Sequence, residues 1–314
     1  MSFSVTILGT SSAVPNSKRN PSSQVVNLNQ NLFLVDCGEG TQIQLRKNKL
    51  NLSKIKHIFI SHLHGDHVFG LFGLLSTYSL LGRDVDLHIY ANEKLKEIIE
   101  SHNKFFNNKL TYKIIFHFLN EGEKSLLYED KFLMIKAFPL KHSIACHGFV
   151  FKEKPKLLNI KKYKIAQYNI PISEINKIKN GADFLTEDGQ LIHNQELTIK
   201  SEKPCSYAYC SDTAFYPKII NEISQVDLLY HESTFANTES KRAQTTQHST
   251  AEDAATIAKE ANVKSLLLGH FSTRYSNLDI LLNEAKSIFR DTEIAIEGKT
   301  YKIDQNEESD SSKK

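Results

Sequence analysis

The sequence lacks several features that would place it in a specialised class of protein. Its 314 residues carry 39 Lys and Arg against 36 Asp and Glu, so the formal net charge is only +3. A charge this small, if spread evenly, argues against a protein that coats nucleic acid along its whole surface. No run of about 18 consecutive apolar residues is present, which argues against a helix that spans a membrane. We therefore expect an ordinary globular protein, long enough to bury a core without cross-links.

Cysteine pairs at metal-binding or redox spacing are also missing. The four cysteines, Cys37, Cys146, Cys205 and Cys210, form no C-x-x-C motif, so we expect reduced and mostly buried thiols. The first fifteen residues, MSFSVTILGTSSAVP, lack the basic start of a signal peptide. Together these absences predict a cytoplasmic protein without a membrane partner.

Short β-rich runs alternate with helical patterns along the chain. Apolar runs such as 3–8, 57–61 and 265–270 predict strands, and helical spacing of apolar residues predicts helices at Val68–Leu81, Lys218–Ser224 and Ala251–Ala261. Several strands are apolar on both sides, as expected when helices cover a sheet. The pattern predicts a layered α/β fold, either α/β/β/α or α/β/α. Residues 305–314, QNEESDSSKK, predict a disordered polar tail.

The strongest chemical signal is a histidine-rich motif between a predicted strand and an apolar helix. The motif is H-x-H-x-D-H and comprises His62, His64, Asp66 and His67. One tetrahedral metal ion takes three or four ligands, and imidazole suits zinc. A tight loop can aim His62 and His64 at one metal and Asp66 and His67 at a second. The motif therefore predicts a site for two metal ions.

Further ligands are expected at the ends of three other strands. His142, Asp212 and His270 each stand where an apolar run stops, which is where α/β sheets gather their sites. Asp212 is the natural carboxylate to bridge two metals. Singly, each of these residues is more often structural, and it is the set in this order that indicates a metal centre.

These residues, taken in order, resemble the metallo-β-lactamase superfamily of binuclear hydrolases and, within it, the tRNase Z (ribonuclease Z) family in its short form. The resemblance runs from Ser4 to about Arg290. It implies a catalytic domain over residues 1–304 with a four-layer αβ/βα sandwich, interrupted by a basic exosite arm at about 152–195. It also implies two Zn²⁺ per subunit, with Mn²⁺ able to substitute. The implied ligands are His62, His64 and His142 for one zinc, Asp66, His67 and His270 for the other, and Asp212 for both.

Two further motifs of the family are present. Pro15–Asn20, PNSKRN, resembles the loop set against the tRNA 3′ end, which implies that Lys18 and Arg19 contact the substrate. The sequence around His270, GHFSTRY, resembles the last metal motif, which implies that Ser272 and Arg274 bind phosphate. A surface salt bridge is the alternative role of Arg274.

The resemblance also implies the reaction and the residues that perform it. The family removes 3′ trailers from precursor tRNA by cutting 3′ to the discriminator base, which leaves a 3′-hydroxyl on the tRNA. Asp66 is expected to act as general base. Glu232 and His248, from HESTF and HSTA, resemble the pair beside the zincs, and His248 is expected to protonate the departing 3′ oxygen. The alternative role of His248 is phosphate binding only. We read Asp36 as structural support, and a homodimer is typical of the family.

The segment 152–180 is rich in lysine. It holds eight lysines and two glutamates, for a local charge of +6. Lysines without arginine suit contact with backbone phosphates, and the position resembles the family's tRNA-gripping arm. We therefore expect Lys161, Lys162 and Lys164 to bind the tRNA. The Gly-Pro signature of that arm is absent, and only Ile170-Pro171-Ile172 stands nearby.

Two other functional classes are open from the sequence. A small-molecule phosphodiesterase or arylsulfatase of the same superfamily would keep the metal ligands but would need no basic insertion. A non-catalytic RNA-binding protein would tolerate the loss of Asp66 or His248, and both are present.

Overall fold

The computed structural model describes residues 3–14, 16–199 and 203–303. The tail predicted at 305–314 lies outside the described residues, and so does Pro15 of the predicted substrate loop. Within the described residues the strands are β1 Phe3–Gly9, β2 Ser23–Leu28, β3 Asn31–Val35, β4 Ile55–Phe59, β5 Leu87–Ala91, β6 Ile114–Phe118, β7 Ser125–Glu129, β8 Leu133–Pro139, β9 His147–Glu153, β10 Asn159–Ile160, β11 Phe184–Leu185, β12 Leu191–Ile192, β13 Thr198–Ile199, β14 Ser206–Cys210, β15 Leu228–Glu232, β16 Ser265–Gly269, β17 Thr292–Ile294 and β18 Thr300–Lys302.

Helices connect these strands. The α-helices are α1 Thr41–Lys47, α2 Gly65–Leu80, α3 Lys94–Phe105, α4 Lys162–Gln167, α5 Ile172–Lys179, α6 Asn194–Leu197, α7 Ser240–Thr246, α8 Ala251–Glu260 and α9 Asp279–Ile288. The chain has short 3-10 turns at Leu52–Lys54, Pro217–Ile219 and Asn237–Glu239. No helix of the described residues is long and apolar enough to cross a membrane.

Two seven-stranded sheets pack face to face. Their orders are β18-β1-β2-β3-β4-β5-β6 and β17-β16-β15-β14-β9-β8-β7. Aromatic side chains fill the space between them: the ring centroids of Phe59 and Phe149 are 5.6 Å apart, and those of Phe33 and Phe151 are 6.1 Å apart. Offset and edge-on rings at these distances are the favoured arrangement of aromatic pairs.

Helices cover the outer face of each sheet. Leu71 of α2 and Leu95 of α3 pack into a cluster with residues of β3 to β5, and the small residues of α8 let it lie close over β15 and β16. The order of layers is therefore helix, sheet, sheet, helix. Of the two layered arrangements that the sequence left open, the structure has α/β/β/α.

The chain divides into two compact units. The second unit comprises Asp130–Leu133 and Glu153–Pro204, and the first comprises the remainder. The second unit has its own small core, in which Ile170, Ile178, Phe184, Ile192 and Leu197 are buried. Its helices α4 and α5 are short, because five buried apolar side chains can order only a few turns.

The longer segment of the second unit, Glu153–Pro204, lies between two neighbouring strands in the sequence. β9 pairs antiparallel with β14, and Lys152 lies opposite Ser206. The insertion predicted at about 152–195 therefore replaces what would otherwise be a hairpin turn, and the compact unit continues to Pro204.

Several elements differ from the prediction. The helix predicted at Lys218–Ser224 is wrong: the chain makes a 3-10 turn at Pro217–Ile219 and then further turns. Only Ile219 and Ile223 of residues 218–224 are buried, so tertiary packing gives little support to a full α-helix there. The prediction also omitted strands β2, β6, β7 and β9 and helices α1 and α7, in which polar residues interrupt the apolar pattern.

Three histidines without a predicted role lie together on neighbouring strands. His57 and His88 stack across β4 and β5 with centroids 4.9 Å apart, and His117 of β6 stacks on His88 at 5.2 Å. Burial, followed by the nearby His88 and His117, lowers the pKa of His57 to about 4. Because an unfolded chain holds His near its ordinary pKa of about 6.5, the unfolded state binds the extra proton between pH 6.5 and 4.

We expect His57→Phe to reduce the loss of stability on acidification. Protonation of His57 favours the unfolded wild-type chain as the pH falls, and the difference between pH 7 and pH 5 should be on the order of 1–2 kcal/mol. Urea unfolding of both proteins at each pH, in chelator so that no metal is bound, measures it. His102→Phe, on α3 outside the stack, is the control. If the free energy of unfolding depends on pH equally in His57→Phe and wild type, the lowered pKa of His57 does not contribute as expected.

Candidate metal centre

The residues predicted as ligands converge at one edge of the two sheets. His62 and His64 follow β4, Asp66 and His67 lie in the first turn of α2, and His142, Asp212 and His270 follow β8, β14 and β16. The ends of neighbouring strands meet at the same edge of a sheet, and the two packed sheets bring both sets of ends together. All seven predicted ligands fall into two groups that share Asp212 and in which the donor atoms lie within 4.8 Å of one another.

The first group comprises three histidines and one oxygen of Asp212. His62 Nε2 lies 3.0 Å from His64 Nδ1, and His142 Nε2 lies 3.2 Å from the same atom. Asp212 Oδ2 lies 3.6 Å from His62 Nε2 and 3.8 Å from His142 Nε2. Four ligands at about 2.0–2.1 Å from a tetrahedral zinc stand about 3.3 Å from one another. The group therefore has the size of a tetrahedral metal site.

The second group uses the other oxygen of Asp212. Asp212 Oδ1 lies 3.3 Å from His67 Nε2 and 3.2 Å from His270 Nε2. Asp66 Oδ2 lies 3.4 Å from each of the same two nitrogens. Asp212 thus presents one oxygen to each group, as the prediction of a bridging carboxylate requires.

Two buried atoms of this centre have no hydrogen-bond partner. They are His67 Nε2 and Asp212 Oδ1, which face each other in the second group. A buried polar atom without a partner costs free energy, and a cation between the two atoms would satisfy both. The donor set of imidazole and carboxylate therefore fits a divalent metal ion.

Most of the imidazoles are held by a bond to the ring nitrogen that faces away from the centre. His67 Nδ1 lies 2.7 Å from Asp36 Oδ2, His142 Nδ1 lies 2.9 Å from the Gln247 carbonyl oxygen, and His270 Nδ1 lies 2.9 Å from Thr234 Oγ1. With the proton on Nδ1, each Nε2 presents a lone pair to the centre. Such outer contacts fix the tautomer and the ring orientation of a metal ligand.

Asp36 is the most heavily bonded of these outer residues. Its Oδ2 accepts from His67, Ser61 Oγ at 2.8 Å and Tyr209 Oη at 2.6 Å, and its Oδ1 accepts from Ser61 N at 2.7 Å. Asp36 is fully buried and has a φ of 54°, a left-handed conformation that is strained for a residue other than glycine. This residue was expected to be structural support, and the structure places it directly behind His67.

The Glu/His pair predicted beside the metals is assembled. Glu232 Oε1 lies 2.8 Å from His248 Nδ1, and Oε2 accepts from Thr234 Oγ1 at 2.7 Å. Burial lowers the pKa of His248, but the Glu232 carboxylate outweighs it and raises that pKa to about 9. His248 Nδ1 also lies 3.9 Å from Asp212 Oδ2. The Glu232 carboxylate therefore favours the protonated form of His248 and occupies its Nδ1.

A cavity of about 500 Å³ opens over the centre. It is lined by Ala13, Pro21, Glu39, His64, Gly65, Asp66, Phe69, Asp212, His248 and His270. The ring of Phe69 is 66% exposed and packs on Gly65, where a Cβ would lie 2.2 Å from a ring carbon. The sequence analysis did not single out Phe69 as a residue of the site. Its apolar side chain stands outside the helical spacing of the buried face of α2, and that position was a signal for it.

The predicted substrate residues Lys18, Arg19, Ser272 and Arg274, all of which the structure describes, are not among the residues that line this cavity. Ser272 is buried, and Arg274 lies 3.3 Å from Glu239 in a half-exposed ion pair. Arg19 donates to the carbonyl oxygens of Ser272 at 3.0 Å and of Tyr275 at 3.1 Å. Arg19 therefore ties its loop to the segment after His270, and the contacts of Lys18, Arg19, Ser272 and Arg274 with substrate stay predictions.

The sequence and the fold are both similar to known proteins. The chain is 49% identical to ribonuclease Z of Bacteroides fragilis over 94% of this chain and 97% of that protein, and 44% identical to ribonuclease Z of Porphyromonas gingivalis over 92% and 95%. A family model described as anti-Pycsar protein Apyc1 matches residues 3–117.

Solved structures agree with the sequence comparison. Human tRNase Z, short form, superposes with a TM-score of 0.72 and 28% identity over 96% of this chain and 99% of that one. A metallo-β-lactamase fold protein of Bacillus subtilis superposes with a TM-score of 0.68 at 19% identity, covering 96% of this chain and 100% of that one. The metallo-β-lactamase-like fold predicted from the motifs is confirmed.

We expect Asp36→Asn to weaken metal binding without unfolding the protein. The amide has one acceptor, whereas four donors converge on the two oxygens of Asp36, so one of its NH groups must face a donor. The loss of such an outer partner typically lowers metal affinity about 10–100-fold. Competition for Zn²⁺ with a coloured chelator measures the change. Asp84→Asn, at an exposed site, is the control, and wild-type affinity in Asp36→Asn would contradict the assigned role.

Proposed function

The chain belongs to the ribonuclease Z family, and from that membership we propose that it removes 3′ trailers from precursor tRNA. It cuts 3′ to the discriminator base and leaves a 3′-hydroxyl on the tRNA. The observation that carries the proposal is the complete ligand set around Asp212, in a chain 49% identical to a ribonuclease Z along 97% of that protein. Relatives of this kind do not favour the alternative, a small-molecule phosphodiesterase or arylsulfatase.

We propose that the centre holds two Zn²⁺ per subunit and that Mn²⁺ can substitute. His62, His64 and His142 would hold one ion, Asp66, His67 and His270 would hold the other, and Asp212 would offer one oxygen to each. Two such ions, when bound, activate a water at neutral pH and neutralise charge on the scissile phosphate. The distances of 3.0–3.8 Å within the first group support this assignment.

Asp66 and His248 divide the proton transfers. Asp66 accepts the proton of the attacking water or orients that water, since its carboxylate lines the cavity. His248 protonates the departing 3′ oxygen of the discriminator ribose through Nε2, because Glu232 already accepts the hydrogen bond of Nδ1. Glu232 is fully buried and keeps the imidazole cationic and in place.

Arg274, Ser272, Lys18 and Arg19 bind the RNA near the cut. The ion pair of Arg274 with Glu239 is half exposed, so a phosphate can replace that carboxylate at little cost. Lys18 is exposed and belongs to the same loop as Arg19. The planar, singly charged donor fork of Arg suits a phosphodiester.

The second compact unit is the tRNA-binding arm. Its helix α4 carries Lys162 and Lys164, and Lys161 precedes it. Lys161 donates to the carbonyl oxygen of Glu196 at 2.9 Å, and Lys164 lies over the ring of Tyr168. These contacts hold the ammonium groups on one short segment, where they can neutralise backbone phosphates of the tRNA body.

We also propose a homodimer in the cytoplasm. Large apolar side chains are exposed at the ends of α2 and α3, where Leu80 is 86% and Phe105 is 83% exposed, and a second subunit would cover such surface. Cys37, Cys146 and Cys210 are free, buried thiols, which supports a reducing compartment. Light scattering at several protein concentrations tests the dimer.

His248→Ala should separate two phosphodiester substrates by their leaving groups. The 3′ oxygen of a ribose needs a proton as it departs, whereas p-nitrophenolate leaves without one. We expect kcat on precursor tRNA to fall by about 10²–10⁴, with a much smaller loss on bis(p-nitrophenyl) phosphate. Asp66→Ala is the comparison, and it should abolish turnover of both substrates. Equal losses on both substrates in His248→Ala would refute the acid role.

Replacing residues 154–204 by Asn-Gly should remove binding of tRNA but not the chemistry. Lys152 and Ser206 are opposite each other on β9 and β14, and Asn-Gly forms the tight turn that joins such strands. We expect cleavage of precursor tRNA to collapse while hydrolysis of bis(p-nitrophenyl) phosphate persists. The cut site is mapped with and without chelator in the full chain.

A milder variant controls for damage to the fold. A plot of the logarithm of the tRNA-binding constant against the logarithm of the salt concentration has a negative slope. Lys162→Gln should reduce the magnitude of that slope by about 1. Lys96→Gln, on α3, should leave the slope unchanged. An equal loss of activity on both substrates in the deletion variant would contradict the proposed arm. An unchanged salt dependence of binding in Lys162→Gln would contradict it too.

A further inference from the structure

A carboxylate outside the predicted site holds the two ends of the loop between β1 and β2. Glu297 lies between β17 and β18, and its Oε1 accepts from Thr10 N and Thr10 Oγ1, each at 3.1 Å, and from Asn20 N at 2.8 Å. Its Oε2 accepts from Asn20 Nδ2 at 2.6 Å. Four donors from the first and last residues of the loop 10–20 therefore meet on one side chain. A carboxylate, which accepts at both oxygens and donates from neither, is the side chain that such a cluster requires.

The same loop is tied to the segment that carries His270. Phe271 N donates to the Thr10 carbonyl oxygen at 2.7 Å, and Ser12 N donates to the Phe271 carbonyl oxygen at 3.0 Å. Arg19 adds its two bonds to the carbonyl oxygens of Ser272 and Tyr275. The base of the loop is thus fixed by Glu297, by the residues that follow β16, and by backbone bonds from Thr10 N and Ser11 N to the Asn20 carbonyl oxygen, each at 2.9 Å.

The loop 10–20 also contacts Asp66, one of the candidate metal ligands. Ala13 N donates to Asp66 Oδ2 at 2.8 Å, and Ala13 has a φ of 45°. This is the oxygen that lies 3.4 Å from His67 Nε2 and from His270 Nε2. Because Ala13 adopts a left-handed conformation that alanine rarely takes, the surrounding bonds must hold the loop for its N–H to point at Asp66.

We propose that Glu297 is a positioning residue of the active site. It closes the base of the loop 10–20, and the loop in turn holds the Ala13 amide on Asp66, so that the loop predicted to meet the RNA 3′ end also orients the carboxylate that handles the attacking water. The catalytic consequence rests on the proposed function, whereas the hydrogen-bond relay from Glu297 to Asp66 does not.

The test uses the zinc-loaded full chain with Glu297→Gln and a reciprocal double variant. In Glu297→Gln the new NH₂ group faces Asn20 Nδ2, and two donors then oppose each other. In Asn20→Asp/Glu297→Gln the new amide can donate to the new carboxylate, which restores the bond with its direction reversed and the net charge unchanged. Hydrogen–deuterium exchange of the Ala13 amide, followed by NMR, reports the relay without any substrate.

We expect faster exchange at Ala13 in Glu297→Gln, with a fall in kcat on bis(p-nitrophenyl) phosphate of about tenfold or more, since displacement of a catalytic group by about 1 Å can cost 10²-fold. The double variant should recover both. Glu293→Gln, the same change on an exposed residue of β17, should alter neither. Thr10→Val, which removes one of the four donors, serves as the second variant if Glu297→Gln folds poorly. It should speed exchange at Ala13 and lower kcat, each by less than Glu297→Gln.

Unchanged exchange at Ala13 in Glu297→Gln would overturn the relay, and so would a double variant no better than the single one. Failure of the wild-type protein to cut precursor tRNA would instead count against the proposed function alone. The exchange measurement and the small substrate still decide the role of Glu297 in that case.

Discussion

The buried carboxylate of Asp212 is the interaction on which the rest of the site depends. It is 2% exposed, and burial by itself would raise its pKa, but the imidazoles of His270, His67 and His62 hold that pKa well below its usual range. An anion kept in this position stabilises positive charge on both sides of itself. The two oxygens of one side chain thereby face the two groups of candidate ligands, and both sheets must end at the same edge to supply the partners.

The surrounding structure serves to keep this carboxylate and its imidazoles in one arrangement. Asp36 and His270, which end or follow strands, both have left-handed backbone conformations, with φ of 54° and 58°. Strain of this kind persists only where neighbouring bonds over-determine the backbone, and it concentrates at functional sites. Close packing adds to the constraint: a Cβ on Gly70 of α2 would lie 2.0 Å from the Gly38 carbonyl oxygen, so the helix that begins at the metal motif lies directly against the loop after Asp36.

Positive and negative charges lie on different segments of the second unit. Residues 152–180, of which all but Lys152 belong to this unit, carry +6, while 181–199 contain four acids and neither Lys nor Arg. The hairpin of β11 and β12 is therefore acidic, and the positive charge belongs to α4, α5 and the residues before them. A long-range attraction to RNA from this unit depends on which of its faces meets the phosphates, because opposite charges a short distance apart cancel beyond about 8–10 Å at physiological salt.

The sequence by itself determined the ligand types, their order and the class of fold, because short motifs at strand ends and apolar spacing are local properties of the chain. His62, His64, Asp66 and His67 lie within six residues, so their proximity needed no tertiary information. Tertiary structure alone decided the contacts that support them: Asp36, expected only as structural support, meets His67 across 31 residues, and Glu297 meets Thr10 across 287. The sequence marked Asp36 as structural support without identifying its partner and carries no signal for Glu297, since the contacts of one carboxylate depend on how two sheets and their loops pack. The strands with mixed polar and apolar residues were missed for the same reason: their stability comes from neighbours distant in the chain.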